Sequence, residues 1–243
     1  MGTAQTSAWI RRFRPSPDAP TRLICFPHAG GAAAFYFPVA RALSPAIDVL
    51  AIQYPGRMDR RNEPCVEDIH ELADLVVEQL GPWLDRPITL FGHSLGATLG
   101  FEVAQRLSAA GGQPRTLFAS GRMAPSRHRD VHVHRYPDDA LIDQISRMSG
   151  TDPRVLGDAE MLRMILPAFR GDYKAVETYR MRPGPPLTCP ITVLTGADDL
   201  EVTLDEARAW SEHTTGRFDM TVFTGGHFFL TEHLDEVLAL LAA

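Results

Sequence analysis

Short β-branched and apolar runs alternate along this chain with longer stretches in which apolar residues recur every three or four positions. Arg22–Phe26, Val49–Tyr54, Ile88–Gly92, Thr116–Ser120, Ile191–Thr195 and Met220–Phe223 are strand-sized runs and predict β-strands. The helical rhythm predicts helices near Phe37–Leu43, Val66–Leu84, Leu95–Ala110, Asp205–His213 and Phe229–Leu241. In the second of these, Asp68, Leu72, Leu75, Val76 and Leu80 have the mixed three- and four-residue spacing of a half-buried helix. Alternation of this kind predicts an α/β fold: a mostly parallel central sheet flanked by helices.

The alternation breaks once. After the strand ending at Ser120, about seventy residues pass before the next one at Ile191, far more than a simple crossover needs. Asp138–Met148 and Asp158–Tyr179 read as helices, so residues 122–185 are expected to form an inserted helical lid. Residues 1–121 and 186–243 would then make the core, with Pro183, Gly184, Pro185 and Pro186 marking the return to the sheet.

Composition narrows the class. The chain has 243 residues, 44% hydrophobic and 22% charged, which suits one large α/β domain with an insertion. No apolar stretch is long enough to span a bilayer. Residues Met1 to Pro20 carry Arg11 and Arg12 but no apolar run after them, so no secretory signal is expected and a cytoplasmic location follows. A net charge of -6 argues against a nucleic-acid partner. Cys25, Cys65 and Cys189 are too scattered for a disulfide framework or a zinc knuckle; Cys25 and Cys189 are expected in the core.

The chemistry centres on Gly92-His93-Ser94-Leu95-Gly96, a G-x-S-x-G turn with an apolar strand before it and a small-residue helix after it. That setting presents Ser94 as a nucleophile on a strained turn, where glycine neighbours avoid collision. A serine hydroxyl needs a base held against it. His227 follows a strand and Thr224-Gly225-Gly226, in the chain order serine, acid, histidine expected of this arrangement. The acid is expected at Asp199, in Gly196-Ala197-Asp198-Asp199, with Asp198 the alternative. His93 is read as packing and His233 as an exposed residue of the last helix. An oxyanion hole needs two backbone N–H groups. One is expected from Leu95 and the other from Ala29, with Gly30 the alternative, in the loop Phe26-Pro27-His28-Ala29-Gly30-Gly31, which His28 either braces by hydrogen bonding or occupies as an ordinary turn residue.

That loop, the Tyr54-Pro55-Gly56-Arg57 turn, the serine elbow and Gly225-Gly226-His227-Phe228-Phe229 together resemble the type II thioesterases. Those are free-standing editing enzymes of modular polyketide synthases and non-ribosomal peptide synthetases. The resemblance runs from about residue 20 to the C-terminus and implies an α/β-hydrolase fold. It also implies hydrolysis of acyl groups held as thioesters on the phosphopantetheine arm of acyl or peptidyl carrier proteins. Ser94, Asp199 and His227 would act as nucleophile, acid and base, Ala29 and Leu95 as oxyanion donors, with no metal or cofactor and no membrane partner; a monomer is expected. Two positions depart from the family pattern. Met58 stands where glutamate is common, which puts contacts of that turn in doubt, and Leu200 stands where proline is common.

Three weaker signals lie in the insertion. Arg122, Arg127, Arg129 and Arg135 against Asp130 leave a segment of net +3, either a solvated loop or a docking surface for an acidic carrier. His128, His132 and His134 are closely spaced, but no cysteine or glutamate accompanies them as a metal ligand. Met161, Leu162, Met164, Ile165 and Phe169 either roof an acyl chamber or pack on the sheet. A serine esterase on small oxyesters, an acyltransferase, and a binding protein on a disabled hydrolase fold remain as alternatives to the thioesterase reading.

Overall fold

Alternate residues of the central strands feed two different cores, because side chains on a strand point to opposite faces. Ile24, Phe26, Leu50, Ile52, Ile191 and Val193 pack on one side; Leu23, Cys25, Val49, Ala51 and Leu194 pack on the other. A sheet covered on both faces has strands that read as continuous apolar runs, which is why they stood out in the sequence. A computed structural model describes residues 7–147 and 158–243. The strands are β1 (Ile10–Arg11), β2 (Thr21–Phe26), β3 (Ile47–Ile52), β4 (Ile88–His93), β5 (Leu117–Ser120), β6 (Ile191–Gly196) and β7 (Phe218–Phe223). They form one sheet in the order β1-β3-β2-β4-β5-β6-β7. All neighbours are parallel except β1, which runs antiparallel to β3. Its two residues are too few to show a period in the sequence.

The helices are α1 (Phe37–Leu43), α2 (Ile69–Leu80), α3 (Leu95–Ala109), α4 (Asp138–Arg147), α5 (Ala159–Thr178), α6 (Leu204–Arg208), α7 (Phe229–Glu232) and α8 (Leu234–Ala242). Leu72 and Val76 of α2, with Leu99 and Val103 of α3, cover one face, whereas Val39 of α1 and Val237 of α8 cover the other. Each fully buried side chain of this size contributes about 1.5–3 kcal/mol. Helix α2 starts later than expected because the Asp68 carboxylate caps it, accepting the Glu71 N–H at 2.9 Å.

The last helix is not continuous, contrary to the sequence reading. The chain breaks at His233, which is half-buried; its ring bonds Thr224 Oγ1 at 2.9 Å through Nε2 and Glu236 at 2.8 Å through Nδ1.

Helices α4 and α5 stand between β5 and β6 and share a small core built on Val133, Leu141, Ile145, Leu166 and Phe169. Met148 of the first expected insertion helix, with the rest of 148–157, lies outside the described residues, as do residues 1–6. Among the described residues no helix is long and apolar enough to cross a membrane.

Strand β2 lies between β3 and β4, so the chain turns back across it. In open α/β sheets the crevice at the carboxyl ends of the strands flanking such a reversal is where ligands bind. The Pro27–Gly31 loop leaves β2 there, and Ser94 leaves β4 beside it.

Candidate active site

Ser94 is the single residue between β4 and α3, and its backbone sits at φ 54°, ψ -119°. A residue with a Cβ in the left-handed region costs about 1–3 kcal/mol, a strain typical of functional turns. The flanking glycines are sterically required. A Cβ on Gly92 would lie 2.0 Å from the Gly96 carbonyl oxygen, and one on Gly96 would lie 2.0 Å from that of Phe26. Both obstacles are backbone, so neither can turn aside. Gly96→Ala is expected to destabilise the fold by more than about 3 kcal/mol, read as a lower urea midpoint. Gly184→Ala, where an added Cβ meets nothing within 4 Å, should stay within about 0.5 kcal/mol of wild type.

His227 follows β7, and its Nδ1–H donates to Asp199 Oδ2 at 2.8 Å. The other oxygen of Asp199 accepts the Glu201 N–H at 2.8 Å, which holds the carboxylate in place. Asp199 is buried while Asp198 is exposed. With Nδ1 engaged, the imidazole keeps the Nε2 lone pair for a partner on its other side. Ser94, Leu95, Ala29 and His227 line one pocket.

The loop after β2 forms the opposite wall. The Gly30 N–H donates to Asp172 Oδ2 at 2.7 Å, whereas the Ala29 N–H has no partner among the described residues. Of the two candidate donors, then, Gly30 is engaged within the protein. Asp172, on α5, also receives both guanidinium nitrogens of Arg57, at 2.6 and 2.8 Å. Met58 is 59% exposed and takes no part in the Arg57 contacts, so its departure from the family pattern leaves them intact.

A family model described as the thioesterase domain matches residues 21–243. The chain belongs to the thioesterase family. It is 55% identical over 229 residues to a Streptomyces griseus protein named "Probable cadicidin biosynthesis thioesterase", a match covering 94% of this chain and 63% of that protein. The chain therefore spans less than two thirds of that relative's length. It is 47% identical over 231 residues to the thioesterase PikA5 of Streptomyces venezuelae, covering 94% of this chain and 82% of the other. Among solved structures, the type II thioesterase BorB from the borrelidin biosynthetic cluster aligns with a TM-score of 0.93 at 53% identity, over 99% of this chain and 98% of BorB. The match to BorB agrees with the type II resemblance carried by the loop and end motifs.

Beneath the site lies a cluster of imidazoles. His93 is fully buried, its Nδ1 shares a hydrogen bond with Ser120 Oγ at 2.9 Å, and its ring lies 5.0 Å from that of His227. Gly121, at φ +56°, makes room for the pair: a Cβ there would be 2.6 Å from His93 Cε1 and 3.4 Å from His227 Cε1. In the sequence Gly121 is simply the residue after the strand that ends at Ser120. His28 is held by packing and not by the expected hydrogen bonding: its Nδ1 is buried without a hydrogen-bond partner among the described residues, and its ring is edge-on to Phe35 at 4.7 Å and Phe228 at 4.8 Å.

Burial pushes the His28 pKa down to about 3, and the nearby His227 and Arg57 charges act in the same direction. Burial likewise holds His93 well below 6.5, helped by His227 and His28. Both rings are therefore neutral in the fold but protonated in the unfolded chain once the pH falls below about 6.5. The unfolded state then binds more protons, so stability is full above about pH 6.5 and declines as the pH falls toward 3. The slope is up to about 1.4 kcal/mol per pH unit for each ring. A melting temperature that falls between pH 6.5 and 4.5, less steeply in His28→Gln, is the expected result; equal slopes would remove His28 from the account.

Of the expected apolar stripe, Phe169 reaches the pocket and the two methionines do not. Phe169, Tyr173 and Val176 of α5 line the pocket, whereas Met161 and Met164 are 42% and 56% exposed. Most of the arginine segment is paired within the protein. Arg129 pairs with Glu206 at 2.9 and 2.6 Å, Arg127 with Glu212 at 2.6 Å, and Arg122 turns to Thr98 Oγ1 at 3.1 Å, leaving Arg135 exposed. Carboxylates near α6 offset the charge that looked free in the sequence.

The three closely spaced histidines take different partners, although the His132 and His134 rings meet edge-on at 6.0 Å. His128 Nε2 accepts from Arg180 at 2.5 Å, His132 lies 3.3 Å from Asp130, and His134 pairs with Glu177. No metal-holding group of three such side chains occurs among the described residues. Cys25 and Cys189 are buried, and Cys65 is half-buried with its thiol 3.7 Å from the Pro167 carbonyl.

Proposed function

We propose that this protein is an editing hydrolase. It removes aberrant or stalled acyl groups from the phosphopantetheine thiol of acyl or peptidyl carrier proteins in polyketide or non-ribosomal peptide synthesis. The observation that carries the reading is the Asp199 hydrogen bond to His227, which lines one pocket with Ser94 on its strained turn. Such an arrangement makes a weak hydroxyl nucleophilic, because the base is oriented and its cationic form is stabilised. The relatives named as thioesterases of cadicidin biosynthesis and of the borrelidin biosynthetic cluster support the choice of substrate.

In this mechanism Ser94 Oγ attacks the thioester carbonyl while His227 Nε2 takes its proton. The developing oxyanion is received by the Ala29 and Leu95 N–H groups. Loss of one such donor typically costs about 3–4 kcal/mol in the barrier. As the tetrahedral intermediate collapses, the C–S bond breaks and His227 returns the proton to the departing pantetheine sulfur. Water then attacks the acyl-enzyme, giving its proton to His227 and the free acid on collapse, with Ser94 Oγ reprotonated. Every step balances with water as the second reactant. The residue 122–185 insertion serves as a lid over the acyl chain, with Phe169 on its inner face. The enzyme works as a monomer in the cytoplasm beside its synthase.

Competitive hydrolysis of a panel of acyl carrier proteins against simple oxyesters tests the substrate class. The expected result is a higher kcat/KM on carrier-bound thioesters. Equal or faster oxyester cleavage would make the protein a general esterase, and transfer to a second acceptor in place of acid release would make it an acyltransferase. A folded protein whose Ser94 resists a fluorophosphonate probe would be a binding protein on a hydrolase scaffold.

A further inference from the structure

We infer that Asp172 is a positioning residue for the oxyanion hole: from the inserted helix α5, with Arg57, it clamps the loop that carries Ala29. The inference rests on the proposed role of Ala29.

The Asp172 carboxylate is 1% exposed and accepts three hydrogen bonds, from Gly30 N–H at 2.7 Å and from the two Arg57 guanidinium nitrogens at 2.6 and 2.8 Å. Arg57 in turn donates to the Gly31 carbonyl at 3.2 Å and to that of Pro55 at 3.2 Å. Both sides of the Gly30–Gly31 segment are thereby held by one ion pair, immediately after Ala29. The same helix makes a second contact one turn earlier. The Phe169 ring lies so close to Gly30 that a Cβ there would be 2.3 Å from it, and Gly30 itself sits at φ +71°. An ionic clamp and a steric stop on α5 together confine the peptide next to the donor.

Stability alone is a weak reason to bury this pair. Well-packed apolar side chains often serve as well or better in that respect. What the bidentate geometry adds is direction. A backbone donor stabilises the oxyanion only when aimed at its final position, so a small loss of aim acts on the transition state and leaves ground-state binding alone.

Asp172→Asn keeps the shape and removes the charge. Its kcat on a carrier-bound thioester is expected to fall about 10- to 100-fold with KM within about twofold. Affinity for a trifluoromethyl ketone analogue, which forms an oxyanion on Ser94, should fall by about the same factor. A non-hydrolysable amide analogue should bind as before. Arg57→Lys, which keeps the charge but loses the fork, should show the same split with a smaller loss and serves if the first variant fails to fold. A raised KM with unchanged kcat overturns the inference, as does unchanged ketone affinity in a folded variant or loss of the fold in both variants. Failure of the proposed function would show differently, as a wild-type protein that does not hydrolyse the thioester at all.

Discussion

Replacing Ser94 by alanine is expected to lower kcat on a carrier-bound thioester by about six orders of magnitude, with KM little changed. The size follows from what is lost. Without Oγ no acyl-enzyme can form, and His227 has no hydroxyl to deprotonate. The remaining donors can only stabilise direct attack by water, which leaves a residual acceleration of about 10³–10⁴ over solution. Folding should survive, since alanine is smaller and the left-handed turn at φ 54° is already imposed by its surroundings. Single-turnover hydrolysis of a carrier-bound acyl group measures the effect. A purified variant that keeps even a tenth of wild-type turnover would falsify the nucleophile assignment.

Asp199→Asn is expected to lower kcat by about 10⁴-fold, whereas Asp198→Asn should change it less than about twofold. In the wild type, Asp199 Oδ2 accepts from His227 Nδ1 at 2.8 Å, so the proton sits on Nδ1 and Nε2 is free to act as base. An asparagine amide can present its NH₂ to Nδ1 instead. The imidazole would then carry its proton on Nε2 and point a donor at Ser94, which abolishes the base while leaving the packing intact. Asp198 is exposed and one residue away, so its loss leaves the imidazole oriented. Parallel kinetics of the two variants, with burst-phase acylation followed separately, checks the assignment; comparable losses from both would show that charge near His227, and not tautomer control, is what matters.

The parts of the fold that could be read from the chain are those set by neighbours in sequence. Strands β2, β4 and β6 are buried on both faces, so they show up as apolar runs without knowledge of their partners. Helix α1 coincides with its expected span because its apolar spacing and boundaries are local. The elbow is legible for a similar reason, since Gly92 and Gly96 flank Ser94 within five residues.

Other features were hidden. Strand β1 exists only because β3 offers it an edge. The break at His233 depends on the contact its ring makes with Thr224, nine residues earlier. Asp172 carried one signal that went unused: it falls in the apolar stripe of α5, near Phe169 and Val176, where an acid needs a buried partner. Its partner Arg57 is 115 residues away, and no local pattern joins the two.

By itself, then, the sequence determined the α/β class, the serine turn, the histidine after β7 and the resemblance to type II thioesterases, because each depends on residues a few positions apart. Only the tertiary structure decided which of two adjacent carboxylates meets His227 and which of two loop N–H groups is already engaged. It also decided that the arginines of the insertion are largely paired, and that α5 grips the loop after β2. These are contacts between segments distant along the chain. Their geometry is set by how the sheet and its insertion pack, and a residue's type and spacing carry no record of the direction in which its side chain finally points.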